Sequence, residues 1–431
     1  MRLNSIKLPR FNGAAESQSV PLALPEKIVI AMSQHGGVPC KPLVSVGDEV
    51  VTGQLIGDSD AFISSPIHSS VTGKVTGVTQ VLNVFGNYHE ALVIETAAEQ
   101  RLSDEIKPPV INSREDFVSA VKRSGSVGLG GAGFPTHVKI SYDPAETHID
   151  TLVINGAECE PYITSDYRTL IEDGDKVYDG IKKIMSYLDI GHAVVGIEHD
   201  KPAAIKKMEE LTSSDNNIDI ITLPSAYPQG AEKVLIHTVT GRVVKEGALP
   251  SSVGCLVMNC STAAFIDSYL TSGIPLISRR VTVDGNVVRT PQNLIVPIGT
   301  RASDIIAAAD VSQTPDRAMF GGPMMGISFY DPEMPLTKTT NALLLFADTY
   351  RERHTACIRC GRCVRACSMG LMPTELEHAF DRKDAERLKK LHVELCMNCG
   401  ACSYVCPAKR NLSEKNQLAK MFLRDYAEKK R

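Results

Sequence analysis

The chain has 431 residues, of which 43% are hydrophobic and 22% charged, and its formal net charge is −4. This composition is that of a folded globular chain, and the length suggests several domains. The small negative charge disfavours a dedicated nucleic-acid binder, which is usually basic. No apolar run approaches the roughly 18–20 residues that span a bilayer, and the first residues lack the apolar stretch of a signal peptide. We therefore expect a cytoplasmic chain that reaches a membrane only through partners.

Residues 36–95 carry short Val- and Ile-rich segments separated by glycines, which predicts β structure. Their two halves resemble the barrel-sandwich fold of biotinyl and lipoyl carrier domains. Those carriers attach their cofactor to a hairpin lysine between the halves, but no lysine occurs here between Lys41 and Lys74. We interpret residues 1–100 as a lipoyl-like scaffold without carrier chemistry, and His68 as a turn or surface histidine rather than a ligand.

Segments suited to helices alternate with segments suited to buried strands from residue 114 to about residue 270. Strands are expected at 150–155, 192–198, 218–223 and 254–259, and helices at 114–123, 202–212 and 230–240. This alternation predicts an α/β domain with a largely parallel sheet. Its boundaries are 101–272 when the polar linker before the first helix is included.

The next region, residues 273–312, returns to short β segments and ends in a helical stretch. It is similar to the soluble-ligand-binding β-grasp (SLBB) family. Residues 313–350 are rich in Gly, Pro and Met, and we interpret them as a connector packed against the main domain. Residues 351–431 hold a cysteine cluster and a basic tail. The tail helix is expected either to dock on a partner or membrane surface or to cap the cysteine-rich unit.

Eight of the twelve cysteines form two copies of the spacing C-x2-C-x2-C-x3-C. The first copy is Cys357, Cys360, Cys363 and Cys367, and the second is Cys396, Cys399, Cys402 and Cys406. In this arrangement each [4Fe–4S] cluster takes three thiolates from one loop and the fourth from the other motif. One expected ligand set is Cys357, Cys360, Cys363 and Cys406, and the other is Cys396, Cys399, Cys402 and Cys367. Zinc, whose structural sites usually pair cysteines two by two, is the weaker alternative. The module resembles bacterial dicluster ferredoxins.

A glycine loop precedes the first expected strand. Gly128, Gly130 and Gly133 formally satisfy G-x-G-x-x-G, but the residues before them favour a helix, whereas a Rossmann motif requires a strand there. Glycines let backbone N–H groups approach an anion closely, and Pro135 is suited to open a helix whose N-terminus favours phosphate. Lys139 follows one turn later. The loop predicts a nucleotide-phosphate cradle, with a purely structural turn as the alternative.

The run Gly128-Leu-Gly-Gly-Ala-Gly-Phe-Pro-Thr-His-Val-Lys139 resembles the FMN loop in the NADH-oxidising subunit of respiratory complex I. The match continues in Asn155-Gly-Ala-Glu-Cys-Glu-Pro161, Tyr227-Pro-Gln-Gly-Ala-Glu232 and Asn259-Cys-Ser-Thr262. The order of parts (lipoyl-like domain, flavin domain, β-grasp insertion, dicluster ferredoxin) resembles that of the RnfC family. Its members are the NAD-reacting subunits of Rnf ferredoxin:NAD⁺ oxidoreductases.

The resemblance implies roles at matched positions. FMN would be held by Gly128, Gly130, Gly131, Gly133, Lys139, Asn155, Glu158, Asn259 and Thr262. The dinucleotide would meet Phe134, stacked on its adenine, and Glu160, Gly230 and Glu232. Tyr227, which begins the third matched run, is a further expected cofactor-binding residue. The chain departs from the complex I subunit at Ala157 and Ala231, where that subunit has acidic residues. Taken singly, Asn155 is equally suited to a turn, and Glu158 and Glu160 to capping or solvated positions.

The implied function is electron transfer between two [4Fe–4S] clusters and NAD(H) through FMN, within a membrane-bound complex coupled to ion transport. No catalytic side chain is expected, because a flavin itself links two-electron to one-electron chemistry. The expected partners are the other subunits of the complex, with ferredoxin reached indirectly, at the cytoplasmic face of the membrane. Two alternatives stay open: a soluble flavin/iron–sulfur reductase such as a microcompartment cobalamin reductase, and a non-enzymatic electron wire or scaffold with a dead flavin site.

Overall fold

The computed structural model describes residues 3–82, 86–349 and 353–428. Within these residues the strands form four sheets, and the C-terminal part is helical. The boundary expected at residues 350–351 and the end of the tail, 429–431, lie outside the described residues. No helix in the described part of the chain is both long and apolar enough to span a bilayer.

The N-terminal β region is a sandwich of two small sheets. The first eight strands are β1 (Val20–Pro21), β2 (Lys27–Ala31), β3 (Lys41–Pro42), β4 (Glu49–Val50), β5 (Leu55–Asp58), β6 (Ile67–His68), β7 (Gly73–Leu82) and β8 (Tyr88–Thr96). One sheet has the order β2-β8-β7-β4, and the other has the order β3-β5-β6. Ile30, Ile56 and Ile67, contributed by both sheets, are fully buried in one cluster. This core is that of the predicted barrel sandwich.

The segment before this sandwich runs over the other units. The Asn4 side chain donates to the Cys367 carbonyl (3.2 Å), and Ile6 forms a β-bridge with Tyr227. The Arg10 guanidinium lies 2.8 Å from the Glu198 carboxylate. Strand β1 then pairs with a strand of the β-grasp region. Residues 3–21 therefore tie the cysteine-rich, α/β and β-grasp units together.

The α/β unit alternates helices and strands as the sequence predicts. Its elements are α1 (Arg114–Arg123), α2 (Thr136–Ile140), β9 (Thr151–Gly156), α3 (Ser165–Glu172), α4 (Gly174–Leu188), β10 (His192–Glu198), α5 (Pro202–Thr212), β11 (Ile218–Leu223), α6 (Glu232–Thr240), β12 (Cys255–Asn259) and α7 (Cys260–Ser272). All strands of the sheet β11-β10-β9-β12 are parallel. Val177, Ile181 and Ile184 of α4 recur at helical spacing and are buried, so this helix covers one face of the sheet.

The β-grasp region and the segment after it form one sheet. The elements are β13 (Ser278–Asp284), β14 (Gln292–Pro297), α8 (Ala302–Ala308), β15 (Arg317–Phe320), β16 (Ile327–Phe329) and β17 (Ala342–Phe346), and the sheet order is β1-β14-β13-β17-β15-β16. Residues 313–349 are therefore not the plain connector that their composition suggests. Strands of 4, 3 and 5 residues are too short to show a clear alternation in sequence.

The cysteine-rich unit consists of short helices closed by a long one. They are α9 (Arg362–Ala366), α10 (Pro373–Asp381), α11 (Ala385–Lys390), α12 (Ala401–Tyr404) and α13 (Leu412–Glu428). Helices α10 and α11 are separated at Lys383, whose φ is positive. Ala419 and Leu423 of α13 are buried in one cluster with residues of α10 and α11. The tail therefore has the capping position, one of the two alternatives for it.

His68 is buried, and not the turn or surface residue that the sequence suggests. Burial, followed by the neighbouring Lys338 ammonium, lowers the pKa of His68 to about 3. Lys338 is itself buried and donates to the carbonyls of Pro66 (2.5 Å) and Gly125 (2.8 Å). Burial lowers the pKa of Lys338 to about 7. This lysine joins the barrel, the α/β unit and the β-grasp sheet at one point.

Arg280 links the β-grasp sheet to the α/β unit, and its substitution tests how much this contact stabilises the fold. Its guanidinium lies 3.0 Å from Glu172 and 2.8 Å from Asp173, all three side chains being mostly buried. Arg280→Gln should lower the free energy of unfolding by about 2 kcal/mol or more, because the two carboxylates lose a shared partner. The exposed pair of Arg289 with Asp310 is the matched control, and Arg289→Gln should cost less than about 1 kcal/mol. Urea unfolding midpoints measure both, and equal losses would contradict the expectation.

Candidate functional site

The carboxyl edge of the parallel sheet brings two of the expected flavin residues side by side. Asn155 near the end of β9 is in register with Asn259 at the end of β12. Ligands of open α/β sheets bind outside the carboxyl ends of the strands. The edge therefore lies where such a site is expected.

The glycine loop is anchored against this edge. The Gly128 N–H donates to the Phe134 carbonyl (2.9 Å), which closes the loop. The Leu129 N–H donates to the Thr262 hydroxyl (3.0 Å) at the start of α7. The buried Arg279 guanidinium donates to the Leu129 carbonyl (2.8 Å), and burial lowers its pKa to about 10. Residues 130–132 between these anchors are exposed. Arg279 has no motif around it, which explains why the sequence did not reveal its role.

The exposed part of the loop forms a cradle that only small residues allow. A Cβ on Gly130 would lie 3.3 Å from the Asn259 side-chain nitrogen, and Gly131 has a φ of +103°. The Asn259 side chain also accepts from the Ser261 N–H (2.9 Å) and so caps α7. Backbone N–H groups next to a helix start suit an anionic group. The residues present therefore fit the phosphate of FMN.

Asp166 is a further member of this site that sequence reasoning missed. Its carboxylate accepts hydrogen bonds from the Asn259 amide (2.7 Å) and the Ser261 hydroxyl (2.6 Å). The carboxylate thus orients the two side chains at the start of α7. A lone aspartate at the first turn of α3 carries no sequence signal for this role.

Three more of the expected residues meet beside the cradle. The Lys139 ammonium lies 2.9 Å from the Glu232 carboxylate and donates to the Val257 carbonyl at 2.9 Å. The Asn155 amide donates to the Gly230 carbonyl (2.9 Å). Helix α2, the end of β9 and the start of α6 are therefore held together by side-chain hydrogen bonds.

The Glu158 side chain is buried and lies at the start of α3. One carboxylate oxygen accepts from the Asp166 N–H (2.8 Å) and the other from the Tyr167 N–H (3.2 Å), at the start of α3. Burial raises the pKa of Glu158 to about 7; the neighbouring Lys201 opposes the shift, and Asp166 adds to it. In this arrangement the carboxylate caps a helix, the structural role that the sequence left open for it.

Tyr227 contacts the cysteine-rich unit, and Glu160 contacts the turn between β15 and β16. A Glu160 oxygen accepts from the Met324 N–H of that turn (3.0 Å), its other oxygen is buried with no hydrogen-bond partner among the described residues, and burial raises its pKa to about 7. The Tyr227 hydroxyl donates to the Cys399 carbonyl (2.6 Å), and burial raises its pKa. Phe134 is half-buried at the end of the glycine loop. The chain after β9 thus leads from Asn155, in register with Asn259 at the glycine cradle, to Cys159, which packs with Tyr227 and Ala401 beside the second cysteine loop.

The eight motif cysteines fall into two spatial groups. Burial raises the pKa of Cys402 to about 12, and Cys396, Cys399 and Cys367 raise it further as charged neighbours. These four also line one cavity. Burial likewise raises the pKa of Cys363, whose thiol neighbours are Cys406 and Cys357. Each fourth cysteine therefore lies with the other motif's loop, and the donor chemistry of each group fits a [4Fe–4S] cluster.

The two cysteine loops differ in exposure, although each group has at least one buried thiol. Residues 358–360 of the first loop are exposed, whereas residues 396–400 of the second loop are at least half-buried. The Lys420 ammonium of α13 donates to the Cys396 carbonyl (2.9 Å), which ties the capping helix to the second loop. In the described residues, no three His, Cys, Asp or Glu side chains converge closely enough for a single metal ion.

Comparisons with known proteins assign the parts. Three family models match: the RnfC barrel sandwich hybrid domain at residues 5–99, the Nuo51 FMN-binding domain at 121–268, and a 4Fe–4S dicluster domain at 356–409. One subunit of the proton-translocating ferredoxin:NAD(+) oxidoreductase complex of Clostridium ljungdahlii is 39% identical over 82% of this chain and 78% of its own length. The chain belongs to the RnfC family.

Further RnfC relatives agree with this membership. The equivalent subunit of the Na(+)-translocating ferredoxin:NAD(+) oxidoreductase complex of Acetobacterium woodii is 37% identical over 84% of both chains. That of the ion-translocating oxidoreductase complex of Rhodobacter capsulatus is 36% identical over 88% of this chain and 74% of its own. The resemblance drawn from the sequence is confirmed, as are the expected fold class and the FMN and 4Fe–4S domains.

A solved structure shares the fold at low identity. The air-oxidised NAD⁺-reducing [NiFe]-hydrogenase is 19% identical, with a TM-score of 0.51, and the match covers 71% of this chain and 60% of that one. At that identity the likeness concerns the fold alone.

The glycine cradle can be tested by filling it. Gly130→Val should reduce the FMN content of the purified chain at least tenfold, because the added side chain would fill the space in front of Asn259. Gly191→Val is the control, since Gly191 is also exposed and its Cβ would meet nothing within 4 Å. Flavin released on denaturation and iron content measure the outcome. Normal FMN in Gly130→Val would show that the flavin lies elsewhere.

The cysteine grouping predicts which substitutions share a phenotype. Cys367→Ser and Cys402→Ser should each lose about half of the iron and leave the same residual EPR spectrum, because they serve one cluster. Cys360→Ser and Cys406→Ser should share the other spectrum. If Cys367→Ser instead matches Cys360→Ser, each cluster takes its ligands from a single motif.

Proposed function

We propose that this chain passes electrons between two [4Fe–4S] clusters and NAD, through FMN, within an ion-translocating ferredoxin:NAD⁺ oxidoreductase complex. The observation that carries the proposal is the loop after β9. At its start lies Asn155, which is in register with Asn259 of the glycine cradle. Further along, Cys159 packs in one cluster with Tyr227 and Ala401, and the Tyr227 hydroxyl donates to the Cys399 carbonyl of the second cysteine loop. The names of the RnfC relatives support the same activity.

When bound, FMN exchanges two electrons with NAD and single electrons with an iron–sulfur cluster. The residues of this chain that hold it are the glycine loop, Asn155, Asn259 and Thr262. Lys139 brings a positive charge to the edge of the cradle, where Glu232 balances it. Hydride transfer needs no proton donor from the chain. The task of these side chains is to position the flavin and the dinucleotide.

The residues assigned to the dinucleotide take two different roles in this proposal. Phe134, Gly230 and Glu232 stay beside the cradle, where the dinucleotide must approach the flavin. Tyr227 contacts the second cysteine loop directly, and Glu160 binds Met324, which lies against Gly400 of that loop. We therefore assign both to holding the second cluster loop in place. Glu158 supports the site indirectly, because its carboxylate caps the start of α3.

The chain acts as a peripheral subunit at the cytoplasmic face of the membrane, held there by other subunits of the complex. Ferredoxin supplies electrons indirectly, through those subunits. The soluble cobalamin reductase alternative is not favoured, because the named relatives are subunits of ion-translocating complexes.

The proposal is tested on the chain purified without oxygen. The wild type should hold stoichiometric FMN and two clusters and should reduce ferricyanide with NADH. Gly130→Val should lose this activity together with its flavin. Cys360→Ser, which removes a ligand of the exposed group, should retain most of it, because ferricyanide takes electrons from the flavin directly. A chain that holds flavin and iron but does not react with NADH would disprove the proposal.

A further inference from the structure

The two cysteine loops carry very different charge. The sequence from residue 353 to residue 374 holds four arginines and no Asp or Glu. The sequence from residue 396 to residue 408, which contains the second motif, holds no charged residue at all. Both loops need only cysteines and small residues to hold a cluster. The charge difference therefore calls for another explanation.

The four arginines are all on the surface. Arg353, Arg359, Arg362 and Arg365 are exposed around the first loop, and we call them the arginine rim. Cys360 in the middle of this loop is exposed too. The second loop, residues 396–400, is at least half-buried. A Cβ on its Gly400 would lie 3.0 Å from the Met324 carbonyl, so the chain itself covers that loop.

A cleft continues the basic surface beside the first cluster. Arg362, Arg365 and Lys409 line it together with Tyr404 and Cys406. Arg365 also donates to the Cys360 carbonyl (3.2 Å) and so belongs to the loop structure. The Glu377 carboxylate of helix α10 is already held by Arg410 at 2.7 Å. The exposed side chains of Ile358 and Tyr404 add a small apolar area.

We propose that the arginine rim docks an acidic protein domain that carries a one-electron centre, and that this is where electrons enter the chain. The inference rests on the proposed function and names the partner of its outer cluster. The cluster that Cys357, Cys360, Cys363 and Cys406 would hold would accept one electron from the reduced centre of the docked domain. The second cysteine loop, which the chain covers and which Tyr227 contacts, would hold the cluster that passes the electron on towards the flavin.

Charge explains why a protein is the favoured occupant. Complementary charge around a redox centre speeds encounter and orients the two centres toward each other, and the effect weakens as salt rises. An anionic membrane surface would also attract arginines. A membrane surface, however, exchanges no electrons with a cluster, so it does not explain why the exposed cysteine loop lies at the centre of the arginine rim.

The test measures electron entry by stopped flow, without oxygen. Reduced acidic 2[4Fe–4S] ferredoxin, used as a stand-in for the electron-donating domain of a partner subunit, is mixed with the holo-chain, and cluster reduction is followed by absorbance at several ionic strengths. The wild-type rate constant should fall as salt rises. Arg359→Gln/Arg362→Gln should lower the low-salt rate constant about tenfold and flatten the salt dependence. The rate with photoreduced deazaflavin, a small reductant that needs no docking surface, should not change.

Matched variants separate charge from structure. Arg359→Lys/Arg362→Lys keeps the charge and should keep most of the rate, and Lys206→Gln/Arg317→Gln removes two exposed cations elsewhere and should have no effect. Iron content, the EPR spectra and NADH–ferricyanide activity are recorded for each variant. If the double glutamine variant loses iron, Arg353→Gln, which lies outside the cysteine loop, is judged by the same rate and salt criteria.

Three results would overturn the proposal. The first is an unchanged ferredoxin rate in a glutamine variant that retains both clusters. The second is a wild-type rate that does not depend on salt. The third is a glutamine variant that loses only its sedimentation with phosphatidylglycerol vesicles, which would make the rim a membrane surface. Failure of the proposed function would appear separately, as loss of NADH–ferricyanide activity in the wild type while ferredoxin still reduces the clusters.

Discussion

The hydrogen bond from the Tyr227 hydroxyl to the Cys399 carbonyl joins the two halves of the molecule that have to exchange electrons. Around it Ile6, Cys159 and Ala401 pack into one small apolar cluster, which draws in the N-terminal segment, the loop after β9 and the second cysteine loop. A site whose parts are held on rigid elements keeps the spacing that its chemistry needs. The surrounding elements support this contact: the carboxyl edge of the sheet carries the glycine cradle, and the Lys420 ammonium of the capping helix α13 binds the Cys396 carbonyl of the second loop.

One segment, the loop after β9, connects the region of the glycine cradle with the region beside the second cysteine loop. Asn155 at the end of β9 is in register with Asn259 at the glycine cradle, Glu158 caps α3, and Cys159 packs with Tyr227 and Ala401 beside the second cysteine loop. The second loop is at least half-buried, whereas residues 358–360 of the first loop are exposed. Under the proposal, electrons therefore enter at the arginine rim and leave through the flavin.

The sequence was most informative where the chemistry dictates spacing. The two cysteine motifs, the glycine loop and the parallel α/β unit were all predictable, because thiolate spacing, glycine content and hydrophobic alternation are local properties. It was less informative for residues 313–349, whose strands are too short to show alternation. His68 was also misjudged, because a histidine in a short strand carries no sign of what will be packed on it. Its neighbour Lys338 lies about 270 residues further along the chain.

By itself the sequence determined the family, the fold class and the kinds of cofactor, since these follow from which residue types stand at which spacing. Only the tertiary structure decided which of the residues matched to the family lie at the glycine cradle and which have structural roles elsewhere. It placed Tyr227 against the second cysteine loop and Glu160 against Met324, and made Glu158 a helix cap. It also added Asp166, Arg279 and Lys338, which belong to no sequence motif. The physical reason is that a buried polar group must find its partners wherever the chain brings them. Those partners lie far away in sequence, so their identity is a property of the packed molecule.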